Sequence, residues 1–371
     1  MNMLREKEKK NNKIRVGITH GDINGISYEI IIKTFLDQRL IELFTPIIYG
    51  SSKVASYHRK ALKLNDFNLN LIKKAEFANP RRPNIINCHE NEVKIELGVS
   101  TQVAGTLALQ ALEQATGDLK EKQIDVLVTA PINKKNIQSD NFRFPGHTEY
   151  LANKFNSDDW LMLMIYNELR IGVITSHIPL KEVSKHLSKE LVLKKIRVLH
   201  DSLVKDFNIR KPRIALLGLN PHAGDDGLIG REEIETIIPA IEEANKNNML
   251  VYGPFASDGF FGNASFEKFD AVLATYHDQG MIPFKTIAFE LGVNYTAGLP
   301  YVRTSPAHGT AYELAGKNQA SPDSFRQAIY LALDIYKNRK EYQSLTENQL
   351  KAGPVSDNNA EDENRDPHSV H

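Results

Sequence analysis

Three histidines in this sequence stand at the same kind of place. RIGVITSHIPL, residues 170–180, is an apolar run ending at His177; RIALLGLNPHAG, residues 213–224, ends at His222; DAVLATYHDQGMIPFK, residues 270–285, breaks at His277. Each reads as a buried strand that delivers an imidazole just past its C-terminal end, into a loop dense with titratable groups. In open parallel sheets, ligands gather at the carboxyl ends of the strands. Three neutral imidazoles can bind a divalent transition metal and leave positions open for a substrate. Any one of the twelve histidines, taken singly, also reads as structural or exposed; the shared position sets these three apart. His58, His186 and His200 lie in helical, lysine-rich surroundings and His368 and His371 in the C-terminal tail, and none of them is assigned a role. Asp225, Asp226, Asp258 and Asp278 are carboxylates able to orient a liganding ring or to move a proton.

Cations follow. Lys285 and Arg303 come after strand-like runs near glycine-containing turns, with Asn294 between them. Arg and Lys, with backbone N–H groups, make a phosphate clamp; ordinary surface ion pairs are the plainer alternative. HGTAYELAG, residues 308–316, has a glycine and small residues that let backbone approach a ligand. Glu313 could accept hydrogen bonds from a ribose diol while repelling a 2′-phosphate; the segment also reads as a loop that caps a helix. Gly21 and Gly25, in HGDINGISYE, do not form the Gly-x-Gly-x-x-Gly fingerprint. That fingerprint stands in no strand-to-helix position here, so either no dinucleotide binds or it binds outside a Rossmann fold.

The elements that must position these groups alternate. Strand-like runs at 15–19, 46–49 and 124–129 are interleaved with helices over 28–35, 52–62 and 100–116. In the last of these Val103, Leu107, Ala111 and Ala115 share one face, and Ser100 is the expected cap. Thr148 starts a helix. Runs at 160–166 and 170–175 flank Asn167 and Glu168 as a β-hairpin, which makes the sheet mixed. Lysine-rich 187–204 is an amphipathic helix with its basic residues on a solvated face. Residues 230–245 are helical, 292–298 strand-like, and 322–337 a helix with proline at its first position. The class is α/β with largely parallel strands.

Composition excludes several functions. Lys plus Arg and Asp plus Glu number 46 each in 371 residues, so nothing pulls the chain toward nucleic acid or an anionic membrane. No apolar run approaches the ~20 residues of a membrane span, and the charged N-terminus is followed by no apolar signal core. The single cysteine, Cys88, is expected to be a free, partly buried thiol and suits a reducing compartment, so the expected address is the cytoplasm. The length suggests two domains. Both ends, residues 1–12 and 352–371, are polar without periodicity and are expected to be disordered.

The ordered set of motifs resembles one family, 4-hydroxythreonine-4-phosphate dehydrogenase of the pyridoxal 5′-phosphate pathway. The matching stretches are VTAPINK, GHTEYLA, TSHIPL, LNPHAGDDGLIGREE, GPFASDGFF, YHDQGMIPFK and GLPYVRTSPAHGTAYELAG, spread over about residues 15–337. The resemblance implies the two-domain fold of isocitrate and isopropylmalate dehydrogenases, with the active-site cleft between the domains. The first domain would be 13–133 with 286–345, and the second, 134–285, would carry dimerisation and the metal site. It implies a homodimer with a shared active site and NAD, or NADP, as cofactor. It also implies a divalent metal, zinc first, with cobalt, magnesium or manganese as alternatives. Carried over by motif, His177, His222 and His277 resemble the metal ligands, contributed by both subunits; His147, Thr148, Lys285, Asn294 and Arg303 the substrate and phosphate contacts; His308, Gly309, Thr310 and Glu313 the adenosine-binding loop. Asp258 and Asp278 are the candidates for proton transfer.

The implied reaction oxidises and decarboxylates 4-phosphooxy-L-threonine to 3-amino-2-oxopropyl phosphate. The same chemistry on D-threonate or D-erythronate 4-phosphate is the alternative within the fold, and a metal- or phosphate-binding protein without turnover the alternative outside enzymes. One loop departs from the family's TPGDPAGIGPE: it reads THGDINGISYE, with His20 and Ile23 for prolines, Ser27 for a glycine and Tyr28 for a proline. Losing prolines is expected to loosen the turn, and His20 to add a titratable group near the cleft.

Overall fold

A computed structural model describes residues 13–64 and 67–347; the two expected tails lie outside the described residues. Twelve strands form one sheet. They are β1 (Arg15–Thr19), β2 (Thr45–Gly50), β3 (Asn70–Ile72), β4 (Asn84–Asn87), β5 (Val126–Thr129), β6 (Leu161–Tyr166), β7 (Leu169–Thr175), β8 (Arg213–Leu217), β9 (Leu250–Phe255), β10 (Ala271–Tyr276), β11 (Val293–Ala297) and β12 (Val302–Pro306). Their spatial order is β3-β4-β2-β1-β5-β12-β11-β6-β7-β10-β8-β9. Strands β3 to β12 on one side are mutually parallel, as are β7, β10, β8 and β9 on the other. Strands β11 and β6 between them each run antiparallel to both neighbours. The sheet is therefore mixed, and the hairpin β6–β7 turns at Asn167, whose φ of 50° is a left-handed value that asparagine tolerates.

Side chains alternate across a strand with period two, and that alternation divides the core. One face is continuous. Val126, Val128, Tyr295, Ala297, Leu161 and Leu163 join it beneath helices α1 (Ser27–Phe35), α2 (Ser52–Ala61), α5 (Lys189–Lys205), α6 (Ile238–Lys246) and α8 (Asp323–Thr346). The other face is broken in two. Ile47, Tyr49 and Leu127 pack with α3 (Gln102–Lys120) and α4 (His147–Lys154) in one cluster. Met162, Met164, Ile171, Val173 and Ala274 pack with α7 (His277–Ala288) in another. The gap between these clusters lies over β12, β11 and β6, at the middle of the sheet.

Several local readings change. The stretch after β10 is a helix, not a loop: α7 begins at His277 and runs past the helix breakers Gly280 and Pro283. Gln279 stitches its start, with Oε1 accepting from Thr275 N at 2.7 Å and Thr275 Oγ1 at 2.9 Å. Thr101, not Ser100, caps α3, accepting from Ala104 N, and Val103 faces solvent. Pro322 precedes α8 as its N-cap. The basic face of α5 is not wholly solvated: Lys195 is buried, donates to Trp160 O and lies 4.4 Å from the Trp160 ring centroid. Cys88 is a free, half-buried thiol, and burial pushes its pKa up to about 12.

The departing loop is the clearest correction. His20 is fully buried and stacks on Tyr28 at 5.4 Å, and Tyr28 stacks on His58 at 5.2 Å. Tyr28 OH accepts from Ser51 N at 2.8 Å, and His58 Nε2 meets Ile23 O at 2.8 Å. Three rings thus pin the turn that missing prolines were expected to loosen. Burial lowers His20 to about 3 and His58 to about 4, so both are neutral and His20 adds no charge to the cleft.

Candidate active site

The gap between the two clusters holds a cavity of about 270 Å³. Its floor is one face of the sheet: Thr129 of β5, Arg303 and Ser305 of β12, Asn294 of β11, and Met162 and Met164 of β6. Register puts them side by side, with Asn294 opposite both Ser305 and Met164. Its walls are His147, Thr148 and Glu149 from the first turn of α4, and His277, Met281 and Lys285 from α7. Lys134, His177, His308 and Gly309 close it.

Arg303 dominates the electrostatics. It is 2% exposed and no carboxylate pairs with it among the described residues. Its Nε and Nη2 donate to Thr129 Oγ1 at 3.1 and 2.6 Å, and Nη1 to Thr296 Oγ1 at 3.4 Å. Burial pulls its pKa down to about 9, with Glu149 opposing, so it remains a cation at neutral pH. A buried charge without a counter-ion is costly. Burial, with Arg303 and Lys134 alongside, holds His147 well below the ordinary imidazole range and therefore neutral. Burial likewise lowers His308, against a hydrogen bond to Gly309 O. Four buried atoms of this lining have no partner: His147 Nε2, Glu149 Oε2, Asn294 Oδ1 and His308 Nε2. Buried polar groups are normally satisfied, so this concentration marks a place built for a polar ligand.

Two imidazoles form one end. Thr175 Oγ1 donates to Thr275 O at 2.7 Å, which locks the ends of β7 and β10 together. His177 and His277, which follow those strands, have ring centroids 5.8 Å apart. His177 Nδ1 donates to Glu149 Oε1 at 2.7 Å and His277 Nδ1 to Asp278 Oδ1 at 2.7 Å. Burial opposes ionisation of Glu149, but the His177 hydrogen bond and Lys134 hold its carboxyl below the usual range. Carboxylates that take the Nδ1 proton leave Nε2 with its lone pair, the arrangement of metal-binding histidines. The donor set thus fits one side of a metal site. Lys134 Nζ sits 3.5 Å from His177 Nε2.

The remaining sequence candidates lie apart. His222 is exposed and outside the cavity, and among the described residues no three metal-ligating side chains converge within one chain. Its segment is unusual: His222, Ala223, Gly224, Asp225 and Asp226 all have φ between 45° and 84°. Left-handed backbone costs roughly 1–2 kcal/mol for each residue other than glycine. Asp258 is exposed on a short helix, Ser257–Gly262, away from the lining. Thr310 packs its carbonyl against Ile26 N, and Glu313 is exposed; neither lines the cavity. Lys134 and Glu149 are lining residues that the sequence reading missed. Their signal was position: Lys134 closes the VTAPINK run after β5, and Glu149 is two residues beyond His147 in α4.

Fold and cavity define an α/β protein with a buried arginine and unpartnered polar atoms lining a cavity against its sheet, beside a pair of carboxylate-oriented imidazoles. The sequence model described as pyridoxal phosphate biosynthetic protein PdxA matches residues 42–332, and the chain belongs to that family. It is 53% identical over 341 residues to the 4-hydroxythreonine-4-phosphate dehydrogenase of Bacteroides thetaiotaomicron, covering 92% of this chain and 93% of that one. A protein of Oceanobacillus iheyensis, provisionally named a D-threonate 4-phosphate dehydrogenase, is 36% identical, over 86% of this chain and 97% of its own. The crystal structure of the Klebsiella pneumoniae 4-hydroxythreonine-4-phosphate dehydrogenase superposes with a TM-score of 0.73 at 33% identity, covering 87% of this chain and 98% of that one.

Proposed function

We propose that this chain is an NAD-dependent, metal-assisted dehydrogenase, active in the cytoplasm, that oxidises and decarboxylates 4-phosphooxy-L-threonine to 3-amino-2-oxopropyl phosphate. One observation carries the reading: a buried Arg303 without a carboxylate faces a cavity whose buried polar atoms are also unpartnered. A phosphate ester supplies what they lack. Arg303 is the deep cation for the phosphate, Lys285 the outer one, and His147, Thr148 and Asn294 complete its hydrogen bonds.

His177 and His277, with His222 of the partner subunit, would hold a divalent metal, zinc first. When bound, such an ion supplies Lewis-acid polarisation of a hydroxyl or carbonyl oxygen. Glu149 and Asp278 orient the two rings, and Lys134 adds positive charge where the substrate carboxylate lies. When bound, NAD⁺ would supply the hydride acceptor for C3, and the hydroxyl proton would pass to a base, for which Asp278 of this chain and an Asp258 brought in by dimerisation are the candidates. The resulting β-keto acid then loses CO2. The segment from His308 to Glu313 serves the adenosine end of the cofactor. Residues 13–133 with 286–345, and 134–285, act as two domains on either side of the cavity, in a homodimer whose sites are shared.

NADH formation, followed by absorbance with added divalent metal, tests the substrate. Faster turnover of 4-phosphooxy-L-threonine than of D-threonate or D-erythronate 4-phosphate is expected. A preference for the sugar acids would keep the chemistry and change the substrate, and no turnover on any would overturn the assignment.

A further inference from the structure

We propose that Glu233 is the positioning residue for His222, on the reading that His222 is delivered to the partner subunit's cavity. His222 sits in five consecutive left-handed residues, only one of them glycine. Such a run does not form from local preference, so tertiary contacts must impose it. Its ring is exposed and has no hydrogen-bond partner among the described residues. The chain thus holds an unfavourable backbone in order to present an imidazole that its own subunit does not use.

Glu233 supplies the constraint. It is 2% exposed and makes no ion pair among the described residues. Its Oε1 accepts from Leu219 N and Asn220 N, both at 2.7 Å, and its Oε2 from Asn220 Nδ2 at 2.9 Å. These donors lie at the entry to the left-handed run. The carboxylate also touches the run itself: a Cβ at Gly224, where φ is +84°, would come within 2.7 Å of Glu233 Oε2. A Cβ at Gly218 would come within 3.1 Å of Oε1. One buried carboxylate is therefore wedged between the end of β8 and the middle of the His222 turn, and its charge is met by backbone and amide N–H groups. Asn220 ties the arrangement further through Glu232 Oε2 at 2.8 Å. Rigid support of a liganding side chain is worth typically 10–100-fold in metal affinity.

The test uses the full-length protein loaded with Co²⁺, comparing wild type with Glu233→Ala, Glu233→Gln and His222→Ala. Affinity is read by chelator competition, coordination by the visible Co²⁺ spectrum, and fold and assembly by circular dichroism and sedimentation. Glu233→Ala is expected to weaken Co²⁺ about 10–100-fold and to move the spectrum toward that of His222→Ala. Glu233→Gln keeps one acceptor oxygen but sets an NH2 against Asn220 Nδ2, so an intermediate affinity and spectrum are expected, and it carries the test where Glu233→Ala does not fold. Wild-type affinity and spectrum in the Glu233 variants, beside an altered His222→Ala, would overturn the role of Glu233. So would a loss of thermal stability with an unchanged spectrum. An unaltered His222→Ala would overturn the shared metal site itself, and this role with it.

Discussion

Arg303 gives two of its nitrogens to a single hydroxyl, Thr129 Oγ1, at 3.1 and 2.6 Å. A hydroxyl neutralises no charge, so the proposed phosphate would be the counter-ion of the guanidinium. Truncating one member of a buried charge pair costs about 3–4 kcal/mol, or about 10²–10³-fold in kcat/KM. Arg303→Met is expected to lose that much and also to lose the thermal stabilisation that inorganic phosphate gives the wild type. An unchanged phosphate-induced shift in Tm would contradict the assignment.

Glu149 acts through His177. Its Oε1 fixes the His177 ring while Oε2 lies buried without a partner. Glu149→Ala removes the acceptor, which leaves the ring free to turn. Metal affinity is expected to fall about 10–100-fold, measurable by competition with a chelator. Equal affinity in the variant would show that the ring is held by packing alone.

The stacked histidines predict an acid limit. His20 and His58 are buried and neutral, with values lowered to about 3 and about 4 from 6.5. The unfolded chain therefore binds protons that the folded one refuses. Their contribution to stability is full above pH 6.5 and is lost as pH falls toward 4, at about 1.4 kcal/mol per pH unit for each histidine. Urea denaturation between pH 6.5 and 4.5 should show this slope, reduced by one proton in His58→Gln. A slope unchanged in that variant would mean that other groups set the limit.

The proposed sharing of sites between subunits predicts complementation. His177→Ala and His222→Ala are each expected to be inactive alone. Mixed, unfolded and refolded together, half of the dimers pair one of each, and each such dimer holds one intact site. About one quarter of wild-type activity should then return. No recovery, with heterodimers present, would place all the ligands on one chain.

The sequence disclosed what is local. Apolar runs marked β7, β8 and β10, residue type and position singled out His177, His277, Asn294, Lys285 and Arg303, and the family resemblance added His147; the fold brings all six to one cavity. Sheet order was not legible, because β11 pairs with β6 across long separations and only tertiary packing decides it. The helix α7 was hidden by Gly280 and Pro283, whose breaking tendency is outweighed by Gln279 and by burial of Met281 and Phe284. The loop at His20 misled because its residues compensate one another: the lost prolines are replaced by a ring stack that only the folded chain assembles. His222 and Asp258 are exposed in one chain, and only the proposed function gives them a use, across a subunit interface.

On the proposed function, Arg303 makes the cavity the phosphate site of a dehydrogenase. The most direct measurement is NADH formation from 4-phosphooxy-L-threonine and from the same compound without its phosphate, in wild type and Arg303→Met. Wild type should prefer the phosphorylated substrate by about 10²–10³-fold in kcat/KM, and the variant should lose most of that preference. Equal turnover of both compounds by the wild type, or an undiminished preference in Arg303→Met, would mean that Arg303 does not hold the substrate phosphate.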